Sequence, residues 1–388
     1  MGMTGTPTIL VQGTADWDQP IATNQHYMVR ELAREYPVTF VESLGLRRPE
    51  LTRSDARRIL NRFSSLKPSA ARRDVPSGVE VLSPTVVPIH AGPWTYLNKS
   101  ILDKQFRQWS AHTGQRIYWT YSPVTYGFEE LADISVYHCV DLYGQYPGID
   151  AALIDRSEKR LARSGIQAVG SSEVVVAHLR RQGFTDVIYW PNVADTAEIQ
   201  QVANATAPAP RAGTLFAGNL SEKKVDFPLL QALLDAGVEV NLAGPVDESG
   251  TSARDLVDEL IAAGCKYHGV LNLQDLSTVM LRCKVGLIPY QLNSYTNGVS
   301  PLKTYEYLAA GLSVVSTMLP GVTSIPSHVA AVGSHAEFVQ TVLAACDAWD
   351  DSQLITRSAL ADKHSWTVRG VEARSLVGGL LQAARRAS

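Results

Sequence analysis

Two charged side chains three residues apart carry the clearest chemical signal in this chain. Lys303 and Glu306 stand in the run Ser300-Pro301-Leu302-Lys303-Thr304-Tyr305-Glu306-Tyr307-Leu308-Ala309-Ala310-Gly311, and that spacing puts both on one face of a helix. The run carries signals for both helix ends. Ser300 can cap the first turn, and Pro301 suits the first helical position, where no N–H is needed. Gly311 supplies the left-handed residue that ends the helix. A helix start presents unpaired N–H groups and a partial positive charge, which suit a phosphate. Lys303 adds a full charge there, and Glu306 is an acceptor for the hydroxyls of a ribose diol. The same pair also fits an ordinary βα unit with a surface ion pair. Asp141, at the end of a strand-like run, reads either as a general base or as a turn and capping residue. Asp16-Trp17-Asp18 is a DxD triplet, a pattern that can hold a metal and a diphosphate but is frequent by chance. His26, near the start of a helical segment, reads as a structural histidine or as a cleft group.

The elements that must position these groups follow from the apolar rhythm. From residue 116 short β-branched and aromatic runs alternate with helical segments, the pattern of parallel α/β units. Strands are expected at 8–12, 38–42, 117–121, 134–140, 166–170 and 187–190, with helices at 24–36, 149–163 and 173–182. The polar, Ala/Pro-rich tract 196–212, containing Ala207-Pro208-Ala209-Pro210, reads as a linker. Beyond it, strands are expected at 214–217, 238–243, 266–270 and 285–289, with a helix at 276–282. Leu312-Ser313-Val314-Val315-Ser316-Thr317 reads as a buried parallel strand. A last helix is expected over 365–388. Ligands of such sheets bind beyond the carboxyl ends of the strands, where Asp141, Asn219, Gly269 and the 300–306 run all fall. Gly13-Thr14 after the first strand lacks the GxGxxG spacing of a dinucleotide site.

Pro301-Leu302-Lys303, Glu306-Tyr307-Leu308-Ala309-Ala310-Gly311 and the Val314-Val315 strand resemble the donor-site signature of GT-B glycosyltransferases. The likeness is to family 4 and its relatives in exopolysaccharide and teichuronic acid assembly, over residues 115–195 and 213–320. It implies an α/β GT-B architecture of two Rossmann-like doubly wound domains facing a cleft. The N-terminal acceptor domain would take 1–195 and the returning C-terminal helix, and the nucleotide-sugar donor domain 213–362. The implied activity moves a sugar from a nucleotide-sugar, a UDP-sugar first, to a hydroxyl of a glycan or lipid-linked glycan. Lys303 would contact the donor diphosphate and Glu306 the ribose. Gly218 and Asn219 would lie near the pyrophosphate, Gly269 and Val270 at the nucleobase, and Ser300, Pro301 and Leu302 in the same loop. Asp16, Trp17 and His26 would face the acceptor. Asp141 is placed like the base of the xanthan-type glucuronosyltransferases, which are inverting. No metal or cofactor is expected, because Lys303 and the helix terminus stand where a cation would. Many family 4 enzymes have a second Glu eight residues before the ribose Glu; here that place is Gly298, beside Asn297. Two other classes fit the same residues: a GT-B-fold sugar-nucleotide epimerase, which needs no acceptor, and a non-catalytic nucleotide-binding protein.

The 388 residues suffice for two domains, and 45% hydrophobic with 19% charged residues is a globular balance. A net charge of −3 gives no reason to expect nucleic acid. Cys139, Cys265, Cys283 and Cys346 show no metal or redox spacing, which suits a reducing cytoplasm. Neither a signal peptide nor an apolar run of spanning length is expected. The anomaly is 47–73, with nine Lys or Arg against Glu50 and Asp55. Leu51, Ile59, Leu60, Phe63 and Leu66 recur there at helical spacing. This reads either as a solvated helix packed on its own domain or as a basic amphipathic helix on an anionic membrane face.

Overall fold

Runs such as Ile9-Leu10-Val11 and Val314-Val315 are apolar on consecutive residues rather than alternate ones. Strands of that kind must be covered on both faces, as in parallel sheets flanked by helices. The computed structural model describes residues 5–19, 21–46, 73–146, 148–246, 252–293, 295–296, 299, 302–323 and 328–387. It divides into two units, Met1–Trp190 with Gly370–Ser388, and Pro191–Arg369.

The first unit is built on β1 (Thr8–Gln12), β2 (Val38–Val41), β3 (Val79–Leu82), β4 (Arg116–Thr120), β5 (Ile134–Cys139), β6 (Gln167–Gly170) and β7 (Val187–Tyr189). Their order is β3-β2-β1-β4-β5-β6-β7, and every pair is parallel. Leu10 and Tyr118 pack with Phe106, Trp109 and Phe128 on one side of this sheet. The second unit has β8 (Thr214–Ala217), β9 (Val240–Ala243), β10 (Lys266–Tyr267), β11 (Val285–Ile288), β12 (Ser313–Thr317) and β13 (Val329–Val332). Their order is β10-β9-β8-β11-β12-β13, again all parallel. Both sheets are doubly wound. The order reverses between β1 and β4 in one and between β8 and β11 in the other, and such switch points open a crevice at the carboxyl ends.

Helices start where short polar side chains cap them. Asp150 accepts from the N–H groups of Ala152 and Leu153, and Ser172 accepts from that of Val175. Asp226 and Asn272 do the same at 3.1 and 2.8 Å for helices Phe227–Asp235 and Leu273–Met280.

Several sequence expectations need correction. The expected linker, 196–212, carries the helix Thr196–Ala205. Its Ala, Glu and Gln residues are good helix formers, and Ile199 is completely buried. It packs against helices Leu273–Met280 and Lys303–Ala309, so it belongs to the second unit. Only the Ala/Pro tract after it is irregular. The second unit starts at Pro191 rather than 213 and ends at Arg369 rather than 362. The last helix, Trp366–Ala387, is one element whose first four residues belong to the second unit and the rest to the first. The first helix, expected over 24–36, stops at Leu32. Helix Pro93–Gln105 and strand β3, in the first hundred or so residues, were not legible at all.

Candidate functional site

The Lys303–Glu306 run does form a helix, but it begins at Lys303, with Leu302 in the capping position and no side-chain cap. Ser300 and Pro301, expected as cap and first residue, lie outside the described residues, as do Asn297 and Gly298. The helix closes as expected. Gly311 has φ +83°, its N–H donates to Leu308 O at 2.9 Å, and Leu312 N–H donates to Tyr307 O at 2.9 Å. These are the two bonds of a Schellman ending. Within the helix Lys303 Nζ pairs with Glu306 Oε2. Glu306 is only 5% exposed, so its carboxylate is held in a walled position against the lysine. Cation and carboxylate are thus adjacent at the carboxyl end of β11.

The neighbouring strand ends make a glycine floor. Gly218 follows β8, Gly244 follows β9 and Gly269 follows β10. Gly218 N–H donates to Ala243 O at 2.9 Å, and Gly244 N–H donates to Gly269 O at 2.7 Å. Gly244 has φ +132°, and a Cβ there would lie 2.0 Å from Gly218 O. No side chain fits between these turns, so backbone itself forms the surface. Asn219 is exposed beside Gly218, and Val270 is 49% exposed beside Gly269, whose φ is +70°. A polar head and an apolar patch therefore stand beyond the ends of β8 and β10. The sequence reading missed Lys224. Its ammonium lies 4.6 Å from the Tyr290 ring centroid, and the Tyr290 hydroxyl would lie 3.8 Å from a Cβ on Gly218. This is a second cation beside the Gly218 turn. The double lysine Lys223-Lys224, five and six residues after Gly218, was the available signal.

In the first unit Asp141 is exposed just beyond β5. Its backbone is fixed: Asp141 O accepts from Tyr143 N–H at 3.0 Å and from the Cys139 thiol at 3.4 Å. Burial pushes the Cys139 thiol far above its usual range, so it stays protonated as a donor. The Tyr143 hydroxyl is 2.9 Å from Thr14 Oγ1. Thr14 is gripped in turn by Gln25, which accepts from its N–H at 2.8 Å and donates to its hydroxyl at 2.6 Å. The Gly13-Thr14 turn after β1 and the Asp141 turn after β5 are therefore one connected polar layer. Asp16 and Asp18 are exposed. The Asp18 carboxylate accepts from Arg73 N–H at 3.0 Å, and the Arg73 guanidinium binds the carbonyls of Trp17 and Gln19. No cluster of three metal-ligating side chains occurs among the described residues. Trp17 and His26, expected to face the acceptor, are 3% and 4% exposed and pack with Phe40. His26 accepts from Thr23 N–H at Nδ1 and donates to Asp16 O from Nε2, at 3.1 Å each. Both are core residues that shape the loop carrying Asp16.

No protein-family model matches the sequence, and no curated protein matches it significantly. Solved structures do. Anabaena HepE, crystallised with UDP and glucose, matches with TM-score 0.61 at 16% identity, over 97% of this chain and 99% of that one. A trehalose-phosphate synthase (UDP-forming) from Burkholderia vietnamiensis matches with TM-score 0.62 at 12% identity, over 97% and 100%. A glycosyltransferase from Rickettsia africae matches with TM-score 0.62 at 10% identity, over 96% and 98%. The fold is GT-B. In this GT-B chain Lys303, Glu306, Gly218, Asn219, Gly269 and Val270 all belong to the second unit. Asp141, Asp16, Trp17 and His26 belong to the first.

Proposed function

We propose that the chain is a glycosyltransferase that takes a UDP-sugar and passes its hexose to a hydroxyl of a glycan or lipid-linked glycan. The observation that carries this reading is the Lys303–Glu306 pair at the carboxyl end of β11, beside the Gly218 and Gly244 turns, which pack too closely for a side chain at Gly244. Glu306 is the acceptor for the ribose hydroxyls, and Val270 is the apolar contact for the base. As the bond from the anomeric carbon to the diphosphate breaks, negative charge grows on the diphosphate oxygens. Lys303 and Lys224 are the fixed cations proposed to meet that charge. The acceptor oxygen bonds to the anomeric carbon and loses its proton to a base, for which Asp141 is the candidate. With two lysines in these roles, transfer needs no metal. The GT-B neighbours supporting the donor class include one bound to UDP and glucose.

The decisive measurement is thermal stabilisation by UDP and UDP-sugars with chelator present. A ligand at about 100 times its Kd stabilises by roughly 2.7 kcal/mol. Glu306→Gln should weaken UDP binding about ten- to hundredfold, the cost of losing a charged hydrogen-bond partner. Unchanged UDP affinity in that variant refutes the ribose role. Incubation with a UDP-sugar alone separates transfer from epimerisation, since only an epimerase then yields a new nucleotide-sugar.

A further inference from the structure

The two central strands of the second sheet part company at the switch point. β8 pairs with β9 through its last residue, Ala217 opposite Ala243. With β11 it pairs only through Thr214–Val285 and Leu215–Gly286. Beyond that, the Ala217 N–H that a continued ladder would engage donates instead to the Tyr307 hydroxyl, at 2.8 Å. Tyr307 is completely buried. Its ring lies directly on Gly286, where a Cβ would sit 2.3 Å from ring atoms Cγ and Cδ2. Glycine at 286 is therefore what lets the ring enter, and the phenol oxygen takes the place of a β11 carbonyl.

The neighbours on both sides give this contact its meaning. Ala217 precedes the Gly218–Asn219 turn, and Tyr307 follows Glu306. One side chain thus spans the opening and ties together the two walls of the candidate site. We infer that Tyr307 is a positioning residue that holds β8 and β11 apart and sets the distance from the Gly218–Asn219 turn to Lys303 and Glu306. This rests on the proposed nucleotide-sugar reading. Without the hydroxyl, the buried Ala217 amide regains a partner only if the strands close or water enters. Either event moves the Gly218 turn against the diphosphate, while the contacts to ribose and base, on Glu306 and Val270, stay in place.

Tyr307→Phe removes that oxygen and keeps the ring. Calorimetric titration with UDP and with uridine should show UDP weakened about tenfold, as expected for one lost buried hydrogen bond, with uridine changed less than about twofold. Hydrogen exchange, read without ligand, should show the Ala217 and Gly218 amides losing protection while β12 keeps its own. A merely structural role predicts equal loss for both ligands or none, and either result overturns the inference. If the intact protein binds neither UDP nor uridine, the nucleotide reading fails, and with it the role in the site. The exchange result still decides whether Tyr307 holds the strands apart. Tyr305→Phe, a phenol removal on the same helix, should leave the UDP to uridine ratio unchanged; a matching shift there would count against Tyr307.

Discussion

At the residue scale the candidate groups differ first in burial. Lys303 and Asp141 are partly or fully exposed at strand ends, whereas Trp17 and His26 are core. Lys303→Ala should lower turnover about 100- to 1000-fold, the usual cost of one electrostatic donor to a developing charge. Asp141→Asn should lower turnover with UDP-sugar affinity and melting temperature intact; loss of fold stability instead would make Asp141 a structural acid. His26 provides a pH test. Burial first, and the charge of Arg73 second, hold its imidazole below the ordinary 6.5. The folded chain keeps it neutral while the unfolded chain takes up a proton as pH falls through that value. Stability should therefore drop below about pH 6.5, until the folded-state value is passed. Comparison of urea midpoints at pH 7.5 and 5.5 checks this, and His26→Gln should show a smaller drop. An identical drop in both proteins would assign the effect elsewhere.

At the element scale the helix Lys303–Ala309 is held at its carboxyl end. Arg211 donates to Ala310 O at 2.9 Å and Arg357 to Gly311 O at 3.0 Å. Both guanidiniums lie against Trp349, 5.3 and 4.8 Å from its ring centroid. Positive charge at a helix carboxyl end is favourable, so the clamp steadies the helix that carries Lys303 and Glu306. Gly311 is the hinge of that ending. Gly311→Ala places a side chain at φ +83° and brings its Cβ within 2.4 Å of Leu354 Cδ2. The left-handed strain alone costs about 1–2 kcal/mol, and Leu354 must also shift. Equilibrium urea unfolding should show a loss of at least that size. A variant as stable as the parent would mean the ending relaxes into another turn.

At the scale of the whole molecule, the basic stretch 47–73 bears on where the proposed acceptor is met. No helix among the described residues is long and apolar enough to cross a membrane. The basic stretch expected to be an amphipathic helix lies, apart from Arg73, outside the described residues. Its charge remains a sequence fact: nine basic residues against two acidic ones. Each such residue near an anionic surface contributes about 1 kcal/mol. We propose on this charge alone that the chain docks reversibly on an anionic membrane face. Vesicle co-sedimentation should show binding to anionic but not neutral lipid, lost as salt shortens the screening length from about 10 Å at 0.1 M to about 3 Å at 1 M. Replacing Arg57, Arg58 and Arg62 with Gln should release the protein. Failure to sediment with anionic vesicles at low salt would favour a soluble acceptor.

What the sequence determined by itself was mostly local. Strand runs, the Lys303–Glu306 spacing and the Gly311 ending are written in consecutive residues. Their outcome depends on periodicity and on one backbone dihedral, so β1, β8 and the helix Glu173–Gln182 fall where the residues put them. The tertiary structure decided what depends on distant partners. The tract 196–205 is helical because Ile199 finds a core to enter, which a polar composition did not reveal. Trp17 is buried because Phe40 and Glu42 meet it from the next strand and the residue after it. Gly286 and Tyr307 look like unrelated residues 21 positions apart until one sheet brings the ring onto the glycine and its hydroxyl to Ala217. Backbone preference acts over a few residues, whereas burial and a buried amide's need for a partner act through space.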